Sequence, residues 1–248
     1  MKNTNNSFKE LTEVIINYSK KYINETNDWY SWREINEDKL PKGIKLPDGN
    51  QYIKNIVLKE ELNKKWKEAD NDEEKLLLTK YYIATWGGIH TNSNNSMIEY
   101  ATLTASELIK KGKKGIASWS KAIVVHNPNE YAIFDARVSV SLNCIQKLFN
   151  VNKAILFPIL SSRNKTVALG NKILKNTAKT EFWKKANVNN FYVQYLKILN
   201  TVAKELNTNI STIEMLLFAK AEELVETTFK NKYNKNVTKK NIKYLSKK

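Results

Sequence analysis

With 248 residues, 42% of them hydrophobic, the chain can bury a core and is long enough for one large domain or two small lobes sharing a cleft. Its formal net charge of +16, from 41 Lys and Arg against 25 Asp and Glu, points to a polyanionic partner through counterion release and steering. One cysteine, Cys144, excludes an intramolecular disulfide framework, and two histidines, His90 and His126, are too few for a Cys/His zinc site.

The abundance of Asn, Lys and Ile also fits an AT-rich genome, but such a bias raises glutamate together with lysine, and here the bases outnumber the acids. No apolar run approaches a membrane span, and the opening MKNTNNSFKELTEV lacks the apolar core of a secretory signal. A cytoplasmic protein with no membrane partner is expected.

Glycine and proline are few, and apolar residues recur at three and four, which predicts a helical protein. A first helix is expected over Phe8–Ile23. A polar break over Asn24–Asn36 carries Trp29, Tyr30 and Trp32. The turn-rich PKGIKLPDG (Pro41–Gly49) precedes a charged helix over Leu58–Ala69. Asp70 is read as the cap of a longer helix running through Tyr81 and Tyr82 to Trp86, ended by Gly87-Gly88. Thr91–Ser96 reads as a loop and Met97–Lys111 as one helix. Further helices are expected over Val167–Leu174, Phe191–Leu206 and Ser211–Phe229, the last opening on a capping box at Ser211. The segment 230–248 holds no acid; it reads either as an arm touching phosphates or as a solvated end without a partner.

The stretch Lys111–Leu142, KGKKGIASWSKAIVVHNPNEYAIFDARVSVSL, is the most informative. Gly112 and Gly115 permit positive φ and bring backbone N–H groups close to a partner, with Lys113 and Lys114 adding charge between them. A helix follows, with Ile116, Trp119 and Ile123 at helical spacing, and its N-terminus suits an anion such as phosphate. Pro128 ends that helix. Tyr131–Phe134 runs extended into Asp135, which opens the next helix with Val138, Leu142, Ile145 and Leu148 on one face.

This order of elements resembles the helix–hairpin–helix DNA glycosylase superfamily, which carries a Gly-rich hairpin after one helix, a second helix, and a catalytic Asp about twenty residues beyond. On that resemblance Gly112 and Gly115 stand in the hairpin and Asp135 in the Asp position. The slot that holds a Schiff-base Lys in bifunctional members holds Gly115 here, and Lys121, one helical turn further on, does not match it. The resemblance implies an all-α fold of two helical lobes flanking a DNA-binding cleft, spanning 1–248 as a single glycosylase-like domain. It also implies a monofunctional enzyme acting as a monomer on double-stranded DNA without cofactor or metal. The Lys-Lys pair departs from the family's usual Gly-hydrophobic-Gly turn.

Asp135 would stabilise positive charge on the sugar as the base departs, and would orient or deprotonate a water. As a residue preceding a helix it is equally a favoured N-cap. Gly112, Lys113, Lys114, Gly115, Ser118, Lys121 and Arg137 are the candidate DNA contacts; Arg137 also reads as a salt-bridge partner, and Lys121 as a possible catalytic amine. An extruded base needs an aromatic wall and a few polar edge readers. Trp29, Trp32, Tyr82, Trp86 and His90 are the candidates, with the core as the alternative place for the aromatics. His126 reads as a helix C-terminal cation. Rival readings are a non-catalytic DNA-binding module, a defence or mobile-element nuclease, and a basic helical adaptor for RNA or protein.

Overall fold

The computed structural model describes residues 2–24 and 26–230, and their chain is predominantly helical. Helices α1 (Lys2–Ser19), α2 (Gln51–Glu68), α3 (Asp72–Lys80), α4 (Asn94–Thr102) and α5 (Ala105–Lys110) form the first half, with a single π-helical turn (Tyr81–Trp86) extending α3. Then follow α6 (Ile116–His126), α7 (Ala136–Leu148), α8 (Lys165–Thr180), α9 (Phe191–Glu205), α10 (Ile210–Ala219) and a last helix, α11, over 221–230. The two strands, β1 (Ile155–Leu156) and β2 (Lys184–Lys185), pair in parallel. Asn143 and Gln146 of α7 bind the backbone of Phe157 and Ile155 and fix β1 against that helix.

Side-chain caps set most helix starts. Asn50, Asn71, Ser93, Thr104, Asp135, Asn164 and Asn209 each accept an N–H of the first turn. Several expected boundaries move as a result. Asn71, not Asp70, caps α3, and Asn209, not Ser211, caps α10. The expected helix over Met97–Lys111 is two helices, because Thr104 and Glu107 form a capping box that restarts the chain. Of the basic segment 230–248 only the first residue is described; the expectation for the rest lies outside the described residues.

The buried apolar residues form two clusters. The larger gathers Leu11, Ile15, Trp119, Phe134, Phe157 and Tyr195 from α1 and the α6–α10 region. The smaller joins Ile35, Ile44, Leu58, Leu62, Leu78 and Tyr82 from the α2–α3 side. Helix α6 serves both, sending Trp119 and Ile123 into the first and Val124 and Val125 into the second. No helix among the described residues is long and apolar enough to cross a membrane.

Candidate functional site

The turn between α5 and α6 is built as its glycines demand. Gly112 and Gly115 have φ of +57° and +69°, where an L side chain is strained. A Cβ on Gly115 would collide with the Tyr100 hydroxyl, and one on Gly112 would come within 3.0 Å of the Val188 carbonyl. Trp119, fully buried, locks the loop from below, its indole N–H donating to the carbonyls of Gly112 and Lys114 at 3.2 and 3.1 Å. The N–H groups of Lys113, Gly115 and Ala117 have no acceptor among the described residues. Lys113 and Lys114 are exposed beside them. Three free donors, two ammonium groups and a helix N-terminus make a place for an anion.

From α6 the chain returns over Tyr131–Phe134 to Asp135. Tyr192 and Tyr195 donate to the carbonyls of Ala132 and Ile133, both at 2.7 Å, and Phe134 N–H donates to Ser120 Oγ at 3.1 Å. Three residues are thereby pinned, Ala132 and Ile133 to α9 and Phe134 to α6. Half-buried Asp135 caps α7, its Oδ1 accepting from the N–H groups of Arg137 (2.9 Å) and Val138 (3.0 Å). Its Oδ2 has no hydrogen-bond donor among the described residues.

Beneath Asp135 lies a buried charge cluster. Lys59 of α2 and Glu214 of α10 pair at 2.8 Å with side chains only 2% and 3% exposed. Lys121, buried on α6, donates to the Ala117 carbonyl at 2.9 Å and packs its stem against Gly87. Burial holds the Lys121 amine below the ordinary lysine range, against the opposing pull of Asp135 and Glu214. Burial raises Glu214 in turn, against the pull of Lys59. Buried Tyr30 is raised by desolvation, then by the charges of Glu214 and Asp135. Lys59, Lys121 and Glu214 are therefore buried together, with the half-buried Asp135 close enough for its charge to act on Lys121 and Glu214.

Beside it opens a pocket of about 270 Å³, walled by Trp32, Tyr81 and Trp86, with Arg33, Thr85 and His90 among its polar residues. Trp86 stacks on Tyr82 at 4.4 Å and is oriented by its N–H donating to Asn55. Arg137 lies over Trp32, which links the first turn of α7 to the pocket wall. The loop after the pocket joins α6, through Asn92 and Ser118 at 2.9 Å. A wider hollow of about 560 Å³, between the end of α7 and the turn at 181–184, holds none of the expected site residues.

The structure thus brings Trp32, Trp86 and His90 to one pocket and separates the other aromatic candidates from it. Tyr82 is fully buried behind Trp86, and Trp29 packs with Tyr30 and Tyr52. Three expected DNA contacts also change place. Lys121 and Ser118 are each 4% exposed, so neither reaches a duplex directly. Arg137 is occupied by Glu222 at 2.9 Å and the Phe218 carbonyl at 3.0 Å. His126 is not a cation near pH 7: tilted against the Trp66 ring at 4.2 Å, it is pushed down to about 4 by burial and then by Lys75. Glu222, partly exposed on α11, is the carboxylate that holds Arg137.

Sequence reading leaves out Lys59, Glu214 and Arg33. The Lys59–Glu214 pair spans 155 positions and has no local signature. Lys121 did have one, because a lysine inside ASWSKAIVV has small or apolar neighbours throughout the helix. No group of three or more His, Cys, Asp and Glu among the described residues is arranged to hold a metal ion. No protein-family model, curated protein or solved structure matches the chain.

Proposed function

We propose that the protein is a monofunctional DNA glycosylase, which hydrolyses the N-glycosidic bond of a modified base in double-stranded DNA and leaves an abasic site. The observation that carries this reading is Asp135: a half-buried carboxylate with Oδ2 uncommitted, capping the helix whose Arg137 lies over the pocket residue Trp32, and following α6, which opens on a glycine-lysine turn with unpaired N–H groups. The turn would grip a backbone phosphate, which positions the duplex without reading its sequence. The extruded base would enter between Trp32 and Trp86, with His90 at its edge.

As the bond breaks, its electron pair leaves with the base and positive charge grows on the sugar. Asp135 stabilises that charge and takes the proton of the attacking water, whose oxygen bonds to the sugar carbon. The net charge of +16 supports the same polyanionic partner.

Incubating the protein with duplexes that carry a panel of modified bases, then cleaving with alkali, tests the reading. One duplex should acquire alkali-labile sites with wild-type protein and not with Asp135→Asn. A second reading is favoured by the two N–H groups that Asp135 already caps. As a non-catalytic DNA-binding module, the protein would bind duplex and generate no abasic site on any member of the panel.

A further inference from the structure

Of the 41 basic residues only three are arginine, Arg33, Arg137 and Arg163, in a chain that otherwise meets its need for positive charge with lysine. All three gather at one place. Arg137 packs on Trp32 and is neutralised by Glu222. Arg33 also lies over Trp32, at 5.3 Å from the ring centre. Arg163 donates to the Gly88 carbonyl at 3.0 Å. A methyl group on Gly88 would meet Arg33 Nη1 at 3.2 Å and Arg163 Nη2 at 3.9 Å, so both guanidinium groups approach one point.

Both side chains are exposed, and neither has a carboxylate within ion-pair distance among the described residues. Two like charges held together without a counter-charge repel, unless an anion completes the arrangement. A guanidinium fork suits phosphate because it donates two parallel hydrogen bonds, which an ammonium does not.

We infer that Arg33 and Arg163 form a second phosphate seat, at the rim of the Trp32–Trp86 pocket and separate from the glycine-lysine turn, that takes a backbone phosphodiester of the bound DNA. The inference rests on the proposed reading for its ligand, since a strand whose nucleotide enters the pocket must carry a phosphate past that rim. Gripped at both the turn and the rim, the strand is held on either side of the nucleotide it presents.

The test measures binding, not base release, with a fluorescent duplex containing a tetrahydrofuran abasic analogue. Arg33→Ala and Arg163→Ala should each weaken binding about tenfold, the loss expected for a charged hydrogen-bonded contact. Each should lower the steepness of the log–log salt dependence by about one. Arg33→Lys should restore the salt slope but only part of the affinity, and Arg163→Lys does the same if the bond to Gly88 is merely structural. Wild-type affinity and slope in both alanine variants, with circular dichroism unchanged, would overturn the seat, as would a wild-type protein that binds no duplex. Inorganic phosphate at constant ionic strength should displace the duplex no better than chloride; displacement that depends on Arg33 would mean a free phosphate ligand and defeat the backbone assignment. Arginine-dependent duplex binding without abasic sites on any substrate leaves the seat standing and removes the glycosylase.

Discussion

On the proposed reading one carboxyl group both caps α7 and serves catalysis, and replacing Asp135 by Asn separates the two roles. The amide keeps an oxygen where Oδ1 now accepts the N–H groups of Arg137 and Val138, and Asn caps helices about as well as Asp. Unfolding stability should therefore change by less than about 1 kcal/mol. Asp135→Ala deletes both hydrogen bonds and should cost about 1 kcal/mol, within a range of roughly 0.5 to 2, or about 2–4 °C in Tm. Activity should follow a different order. Losing one preorganised electrostatic group costs on the order of 10²–10³ in rate, about 3–4 kcal/mol, and both variants lose the charge. The Lys121 amine also loses an opposing charge in each, and falls further below the lysine range. Single-turnover formation of alkali-labile sites, beside thermal unfolding of the same preparations, resolves the two orders. The reasoning fails if Asp135→Asn excises at a rate within a few-fold of wild type, or if lost activity merely tracks lost Tm.

Three further outcomes follow from the geometry. Gly115→Ala places a side chain at φ +69° against the Tyr100 hydroxyl and should destabilise by about 1–3 kcal/mol; adding Tyr100→Phe should recover part in thermal melts, and no recovery would refute the collision. Lys59→Met leaves Glu214 buried beside one distant cation and should cost about 3–5 kcal/mol in urea unfolding, whereas Lys59→Met with Glu214→Leu should cost far less; equal losses would show that the pair is not coupled. His126 titrates at about 4 when folded and near 6.5 unfolded, so between these values the unfolded chain binds more protons. Its contribution is complete above pH 6.5 and fades as the pH falls towards 4, by up to roughly 3–4 kcal/mol for a folded pKa about 2.5 below the unfolded one. His126→Phe, which keeps an aromatic ring against Trp66, should therefore lose less stability than wild type between pH 7 and 4.5, and identical losses would count against this assignment.

What could be read from residue order follows how local each cause is. The α6 boundaries and the Asp135 cap were legible because Gly115, Pro128 and a short polar N-cap act within a few residues. The break between α4 and α5 was legible too, in Thr104-Ala-Ser-Glu107, yet the apolar rhythm of Ile98, Ala101, Leu108 and Ile109 hides it. The two-residue strands carry no periodicity; they exist because amides on α7 bind the backbone of 155–157. At the site, the turn emerged from composition alone, while the pocket required packing. Trp29 and Trp32 share a polar context in sequence, and only the tertiary fold turns Trp32 to Arg137 and Trp29 to Tyr52. Lys121 shows the opposite failure, since charge suggested surface while its neighbours put it inside.

The hydrogen bond from Phe134 to Ser120 makes α6 a caliper. It sets the start of α7 level with a residue five positions beyond Gly115, roughly 8 Å along the axis at about 1.5 Å per residue. One residue inserted between Gly115 and Ser120 would turn the upstream bend by about 100° relative to the returning strand, leaving each part folded but the jaws out of register. If the proposed glycosylase reading holds, such a protein would grip and cap normally, yet bring the wrong nucleotide, or none, to its carboxylate.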